Sequence, residues 1–262
     1  MIFSSASFFV FFIVVIALYA LARTTPQRAA ILLIASFIFY ASWRPVYLIL
    51  LCASLGVNYV IYGRLLATRS RTVLVIGITI NLMALGLFKY RGFFIESALW
   101  IQKMFDPIIV ARAPEWVNWA LPLGISFYTF HMLSAMIDAY RGDWANPIGF
   151  RTWCLYVTYF PHLIAGPILR PGQLVDQLEA LRPLDSREIR LGAAIFVGGL
   201  VKKILFADNL APIVEKTYAV PGALDLPTSW LGTLAFAFQI YFDFSGYSDM
   251  AIGISKLMGL SL

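Results

Sequence analysis

The sequence contains few charged side chains. Of its 262 residues 60% are hydrophobic and 13% are charged, against about 25% charged residues in ordinary soluble domains. A soluble fold of this length needs more polar surface than these residues can supply, because much of any globule faces water. The composition therefore excludes soluble enzymes, disordered tails, collagen-like chains and disulfide-rich secreted proteins, and it indicates an integral membrane protein.

Cysteine and histidine are scarce, with two residues of each. Cys52 and Cys154 lie in apolar runs without metal-ligand spacing, so we expect both to fill the core. The sequence has no P-loop, no Rossmann glycine pattern, no His-Glu-x-x-His helix and no Cys/His cluster. Nucleotide-driven transport and zinc hydrolysis therefore have no support, and we predict no bound metal or cofactor.

Long uncharged runs predict roughly seven to nine membrane-embedded helices, because a bilayer core of about 30 Å requires around 20 apolar residues per helix. The fold class is therefore all-α and polytopic, with a single membrane-embedded domain over residues 1–262. The predicted segments are 1–22, 29–43, 45–63, 72–88, 116–137, 152–169, 191–207 and 226–255. The polar stretch 174–190 carries Leu174, Leu178 and Leu181 at helical spacing, which predicts a short interfacial helix or a solvated loop helix.

The basic residues give an expected orientation. The net charge of +6 is typical of cytoplasmic loops rather than of nucleic-acid binding. If the second and third segments both cross, five arginines share one side of the membrane and Arg44 lies on the other. That side is then cytoplasmic, and the N-terminus is periplasmic. The five residues are Arg23, Arg28, Arg64, Arg69 and Arg71.

A polar stripe follows one face of the helix predicted after residue 124. His131, Ser134 and Asp138 are spaced i, i+3 and i+7, so they share that face. Side chains stacked along one helix do not converge as a nucleophilic triad must. The pattern favours a stripe that faces the protein interior.

A proline-rich break is expected in residues 159–172. Pro161, Pro167 and Pro171 cannot share one regular helix. Broken backbone at membrane depth is tolerated only when it is buried in protein or lines a watery cavity. His162 lies in this break and is a functional candidate. The alternative is a histidine that is satisfied by the backbone carbonyls freed there.

Residues 238–250 place acids and hydroxyls in an otherwise apolar helix. Gln239 and Asp243 are one turn apart, as are Ser245 and Asp249. Such groups cannot face lipid, so they should point into the bundle or a pore. Hydrogen bonding between helices explains the pattern as well as catalysis does.

Two adjacent lysines, Lys202 and Lys203, end another apolar run. We expect them to snorkel at a membrane interface. The alternative is capture of an anionic donor group, such as a phosphate of coenzyme A or phosphopantetheine.

Four motifs together carry a resemblance. They are LPLGISFYTF at 121–130, FPHLIAGPI at 160–168, KKILFADNL at 202–210 and QIYFDFSGYSDMAIG at 239–253. The whole chain resembles the N-terminal part of a membrane-bound O-acyltransferase, closest to the alginate O-acetyltransferase branch. It is more distantly similar to the D-alanyl transfer proteins of teichoic acid.

The resemblance implies a partial ring of membrane helices around a tunnel. In that tunnel a cytoplasmic thioester donor, such as acetyl-CoA, meets a hydroxyl of an exported polysaccharide such as alginate. The family's catalytic histidine would lie beyond Leu262, so the chain is expected to be a truncated form that is inactive alone. The donor-phosphate candidates are Lys202 and Lys203. The tunnel-lining or bracing candidates are His131, His162, Gln239, Asp243, Ser245 and Asp249.

The resemblance also implies a location and partners. The location is the bacterial inner membrane, and the partners are membrane lipid, the polysaccharide acceptor and periplasmic acetyl-transfer proteins, with no nucleic acid. Two other functions stay open. Broken helices and embedded acids also mark the substrate pathway of a transporter or channel, and the chain could be a non-catalytic membrane scaffold.

Overall fold

The computed structural model describes residues 3–105, 120–219 and 225–262. Within these ranges the secondary structure is helical and contains no strand, which confirms the all-α prediction. The helices are α1 Ala6–Leu21, α2 Thr25–Ala41, α3 Tyr47–Thr68, α4 Arg71–Lys89, α5 Arg91–Phe105, α6 Ile125–Arg141, α7 Phe150–Thr158, α8 Pro171–Glu179, α9 Ser186–Val201, α10 Asp208–Tyr218 and α11 Leu226–Leu257. A π-helical turn, Lys202–Ala207, joins α9 to α10.

Two of the described helices are long and apolar enough to cross a membrane by length and composition. They are α3 with 22 residues and α4 with 19, whereas α1 and α2 are apolar but shorter. Large apolar side chains point outward from these helices, and Ile49 of α3 is 73% exposed. Extended apolar surfaces of this kind are unusual on soluble monomers and suggest a membrane location. The full set of spans and the helical ring stay predictions.

The proline-rich break is present where the sequence predicts it. Helix α7 ends at Thr158, and α8 begins only at Pro171. Pro171 occupies the first turn of α8, where a missing backbone N–H breaks no helical hydrogen bond. The backbone between them therefore crosses the interior without a regular helix.

Other sequence predictions need correction. The stretch 174–190 is divided between α8 and the start of α9, and its three periodic leucines are all buried against protein.

Cys154 is buried as expected, but Cys52 is exposed on α3, so the core prediction was wrong for that residue. Cys52 lies on a helix most of whose residues are not buried inside the structure. The predicted segment 116–137 lies only in part within the described residues, since positions 116–119 fall outside them.

Helices α9 and α11 approach each other closely at four glycines. A Cβ atom added to Gly199 would lie 2.6 Å from the carbonyl oxygen of Gly246, and one added to Gly192 would lie 2.6 Å from that of Gly253. The two glycines of each helix are seven residues apart, so both contacts repeat on one helix face. Small residues allow this close backbone approach in membrane helix pairs, where dispersion contacts drive association.

A buried arginine ties the first two helices to the C-terminal part of the chain. Arg28 Nη2 donates to the carbonyl oxygen of Ala22 at 2.7 Å, and its guanidinium lies 5.8 Å from the ring centroid of Tyr19. The Tyr19 hydroxyl is 3.0 Å from the carbonyl oxygen of Arg182 and 3.3 Å from that of Met258. The link between α1 and α2 is therefore fixed against the loop after α8 and the end of α11.

The glycine contacts predict a difference between two neighbouring residues of α9. A methyl group at Gly199 would overlap the backbone of α11, whereas one at Gly198 meets nothing within 4 Å. We expect Gly199→Ala to lower stability by about 1–3 kcal/mol through overpacking. Gly198→Ala should be neutral or stabilising by up to about 1 kcal/mol, because alanine is the better helix former. Thermal unfolding of the purified protein in detergent measures both. Equal melting temperatures for the two variants would contradict this packing.

Candidate functional site

A cavity of about 800 Å³ lies where several helix ends meet the middle of α11. Its wall is largely apolar and aromatic, but it also includes one lysine and one aspartate. Cavities of this size and composition are typical of ligand sites, which range over about 300–1,000 Å³. The lining residues are Ser5, Ser7, Trp43, Leu123, Ile164, Ala165, Lys203, Ile240, Asp243, Phe244 and Tyr247.

Each of the four sequence motifs contributes to this wall. Leu123 comes from the first, Ile164 from the proline-rich break, Lys203 from the lysine pair and Asp243 from the acidic segment of α11. These segments are far apart in sequence, so the fold brings them together. The cavity is therefore the place where the unusual features of the chain meet.

The first lysine of the pair is bonded to α11. Lys202 Nζ lies 2.6 Å from Asp249 Oδ2 and donates to Ser245 Oγ at 3.0 Å. All three side chains are partly buried. The sequence placed Ser245 and Asp249 on one helix face, and the structure shows that Lys202 is the group opposite them.

The second lysine bridges two aspartates. Lys203 Nζ lies 2.6 Å from Asp243 Oδ1 and 2.9 Å from Asp208 Oδ1. Lys203 is more buried than either carboxylate. Both lysines start the π-helical turn, a distortion that occurs often at functional sites. The embedded acids of α11 are thus each paired with a cation, which reduces the cost of placing them in an apolar helix.

Gln239 lies one turn before Asp243 and is half-buried. Its Oε1 atom is buried without a hydrogen-bond partner in the described ranges, and the same holds for the hydroxyl of Tyr247. The ring of Tyr247 stacks on Phe3 with centroids 4.3 Å apart. This face of α11 therefore has unused hydrogen-bonding capacity beside the cavity.

The two histidines lie together in the interior. Both are fully buried, and their rings stack with centroids 4.4 Å apart. His131 Nδ1 is 2.8 Å from the carbonyl oxygen of Phe127, and the backbone N–H of Leu169 donates to His131 Nε2 at 3.4 Å. A carbonyl only accepts and an amide N–H only donates, so His131 is neutral with its proton on Nδ1.

His131 is thus a bridge between α6 and the segment that leads to α8. Both ring nitrogens face backbone groups, so they form no triad with Ser134 and Asp138. Asp138 instead lies 3.8 Å from Arg170 Nη1. These contacts support the prediction that the polar face of α6 points into the protein interior.

His162 is satisfied less well than its partner. Neither ring nitrogen has a hydrogen bond of normal geometry from the described residues. The backbone of Tyr156, in the last turn of α7, offers the ring only a weak hydrogen bond. The ring stacks on His131, and its neighbours Ile164 and Ala165 line the cavity.

Sequence reasoning missed two parts of this site. The sequence predicts that Trp43 lies in a turn at a membrane interface between segments 29–43 and 45–63, but it does not place this residue at a cavity. The pairing of Lys202 with Asp249 was missed as well. The apolar segments contain two aspartates and two adjacent lysines. This equal number of opposite charges is the signal that could have suggested the pairing.

In the part of the chain that the structure describes, helices enclose a largely apolar cavity, and paired charges lie at its wall. No protein-family model matches the chain. The protein named probable alginate O-acetylase AlgI of Pseudomonas aeruginosa is 41% identical over 270 residues, covering 99% of this chain and 50% of that protein. Peptidoglycan O-acetyltransferase of Helicobacter pylori is 33% identical, covering 88% of this chain and 48% of that protein.

A weaker similarity extends to teichoic acid D-alanyltransferase of Streptococcus thermophilus, which is 27% identical over 59% of this chain. The chain spans about half the length of the first two relatives, 50% and 48%. Together these similarities support the membrane-bound O-acyltransferase-type family that the four motifs indicate.

The contacts of the stacked histidines predict that replacement by phenylalanine changes stability differently at the two positions. His131→Phe removes the acceptor of the Leu169 N–H, so it should lower stability by about 1–3 kcal/mol. His162→Phe keeps an aromatic ring in the stack and removes two nitrogens without normal hydrogen bonds, so the melting temperature should stay the same or rise. Thermal unfolding in detergent compares the two variants. A larger loss for His162→Phe than for His131→Phe would refute the assignment.

Proposed function

We propose that this chain forms the tunnel region of a membrane-bound O-acetyltransferase. The enzyme would transfer an acetyl group from a cytoplasmic thioester, such as acetyl-CoA, to a hydroxyl of an exported polysaccharide. The observation that carries the proposal is the convergence of all four family motifs on one cavity. The names of the relatives add that both alginate and peptidoglycan are acceptors in related proteins.

The reaction needs a bond exchange and one proton transfer. The acceptor oxygen attacks the thioester carbonyl, the carbon–sulfur bond breaks, and a base must remove the hydroxyl proton. We propose that this base is the family's catalytic histidine, which matches neither His131 nor His162; His131 is also held between two backbone groups. The cavity described here would hold the reactants in register and exclude water, which supplies much of the rate in such reactions.

The charged residues of the cavity fit a bracing role. Lys202 and Lys203 each have a carboxylate oxygen at 2.6 Å, and a cation already paired in this way attracts a phosphate less strongly than a free one. This favours bracing of α11 against the π-helical turn over the alternative of donor-phosphate binding. Asp243 lines the cavity, whereas Asp249 and Ser245 would hold Lys202 in place.

The acceptor and the location follow from the same relatives. We favour alginate because the identity to the alginate O-acetylase is higher than to the peptidoglycan enzyme, 41% against 33%. The proposed location is the bacterial inner membrane with a periplasmic N-terminus, and periplasmic acetyl-transfer proteins are the proposed partners.

Deletion and complementation test this function. The gene that contains these residues is deleted and then restored as its full reading frame, and ester-linked acetyl groups on the secreted polysaccharide are measured. We expect acetylation to disappear on deletion and to return on complementation while the amount of polysaccharide stays the same. Unchanged acetylation combined with lost export would favour a transporter, and no change in either would favour a scaffold.

The bracing role predicts a loss of turnover in one variant. Asp249→Asn removes the charge that holds Lys202, so acetyl incorporation by the full-length protein should fall roughly tenfold, which is about 1.4 kcal/mol of barrier. Asp225→Asn is the matched control, because Asp225 is an exposed helix cap that accepts from the Thr228 N–H, and asparagine caps equally well. Membrane protein levels are followed by immunoblot. Normal turnover of Asp249→Asn at normal levels would exclude the bracing role.

A further inference from the structure

We infer that the groove between α4 and α5 binds an anionic phospholipid, with an acyl chain along α4 and the phosphate at Lys89 and Arg91. The groove has a volume of about 550 Å³ and shares no lining residue with the cavity beside α11. The inference needs only the membrane location, so it is independent of the proposed acetyl transfer.

The groove lies on a side of α4 that does not pack against the protein. The buried residues of α4 are Gly77, Asn81 and Leu85, and none of them lines the groove. The second wall comes from α5, through Phe94 and Ile95, and this helix has no buried residue. The groove therefore faces the surroundings of α4, which is a candidate membrane span.

The length and the wall of the groove suit one acyl chain. Along α4 the groove runs from Thr79 to Leu87 past Leu82 and Met83, a distance of about 12 Å. One leaflet is half of a hydrocarbon core of about 30 Å, so the groove spans most of one leaflet. Gly86 leaves space in it, because a Cβ atom added there would meet no atom of the described residues within 4 Å.

Two cations lie at one end of the groove, where α4 ends and α5 begins. Arg91 lines it, and its Nη1 atom donates to the carbonyl oxygen of Phe88 at 3.0 Å. A guanidinium has five N–H donors, so one side chain can bind both a carbonyl oxygen and a phosphate. The Lys89 ammonium lies 5.4 Å from the ring centroid of Tyr90. The single acid in the sequence of these two helices, Glu96, does not line the groove.

Basic residues beside membrane helices attract anionic headgroups. A phospholipid places its negative phosphate next to the start of its acyl chains, as the groove places its two cations next to the apolar wall. The arrangement of charge and apolar surface in the groove therefore matches that of an anionic phospholipid.

Other occupants fit the groove less well. A saccharide would lose its hydrogen bonds to water, since Thr79 and Arg91 are the only polar side chains among the described lining residues. A lipid with a zwitterionic headgroup would fill the apolar part but gain less from the two cations. A two-fold contact with a second copy would bring the same basic residues of both copies together, which like-charge repulsion opposes.

Native mass spectrometry of the full-length protein tests this site. The protein in detergent is titrated with dioleoyl phosphatidylglycerol or with dioleoyl phosphatidylcholine, which share their acyl chains and differ in headgroup. The wild type should bind one phosphatidylglycerol at least about fivefold more tightly than phosphatidylcholine.

Filling the groove tests its position. Gly86→Leu should weaken the binding of both lipids roughly tenfold, because the new side chain displaces methylene groups of the acyl chain. Gly56→Leu on α3 is the matched control. A Cβ atom added to Gly56 likewise meets no described atom within 4 Å, and Gly56 lies outside the groove.

Removing the charges tests the headgroup. Lys89→Gln and Arg91→Gln should each weaken phosphatidylglycerol binding about fivefold and change phosphatidylcholine binding less than about twofold. Lys103→Gln is the control, since Lys103 lies in the last turn of α5 and does not line the groove. Arg91→Gln also removes the bond to the Phe88 carbonyl oxygen, so thermal unfolding is followed for each variant. If Arg91→Gln unfolds, Lys89→Gln decides.

Weaker binding in Gly86→Leu and in the basic variants, with both controls unchanged, supports the lipid site. If Gly86→Leu binds both lipids as tightly as the wild type, the groove is not the site, even where the basic variants bind less. Equal affinity of the wild type for the two lipids overturns the anionic headgroup. A lipid-free dimer that Gly86→Leu converts to a monomer would assign the groove to a second copy and overturn the inference.

Discussion

The close backbone contact between α9 and α11 determines the rest of the site. Gly246 of α11 lies against Gly199 of α9 and also against the π-helical turn that follows α9. A Cβ atom added to Gly246 would lie 3.0 Å from the Lys203 backbone nitrogen and 3.2 Å from Lys202 Cβ. The glycine contact therefore sets the distance across which both lysines reach the acids of α11. A larger residue would separate the helices where the lysine side chains have to span the gap.

This distance matters because charges in an apolar environment are tolerated only under strict conditions. The cost of removing two ions from water is offset only if their geometry is good and further hydrogen bonds satisfy them. Lys202 meets this condition with Asp249 and Ser245, and Lys203 meets it with Asp243 and Asp208. The result is a largely apolar cavity wall that includes Lys203 and Asp243, and each of the two aspartates of α11 is paired with a lysine.

The sequence predicts those features that depend on local chemistry. Composition predicts the helical class, prolines predict the break after α7, and acids in an apolar helix predict an inward face. The partners of these residues depend on how distant segments cross. Lys202 and Asp249 are 47 positions apart, and the tautomer of His131 depends on the backbone of Leu169. Trp43 lines the cavity because the end of α2 lies beside the start of α1, where Ser5 and Ser7 line it too. Sequence periodicity does not predict which helix ends meet.

The irregular segment between α7 and α8 shows why the motifs coincide with the cavity. Backbone without a helix leaves N–H and C=O groups that must find partners away from water. His131 accepts from Leu169 N–H, Tyr156 OH donates to the Leu169 carbonyl oxygen at 2.9 Å, and Gly124, with φ 62°, packs against the Leu163 carbonyl where a side chain would clash. The first two motifs thus stabilise each other. Because the break is held in this way, Ile164 and Ala165 can form part of the cavity wall without a helix to support them.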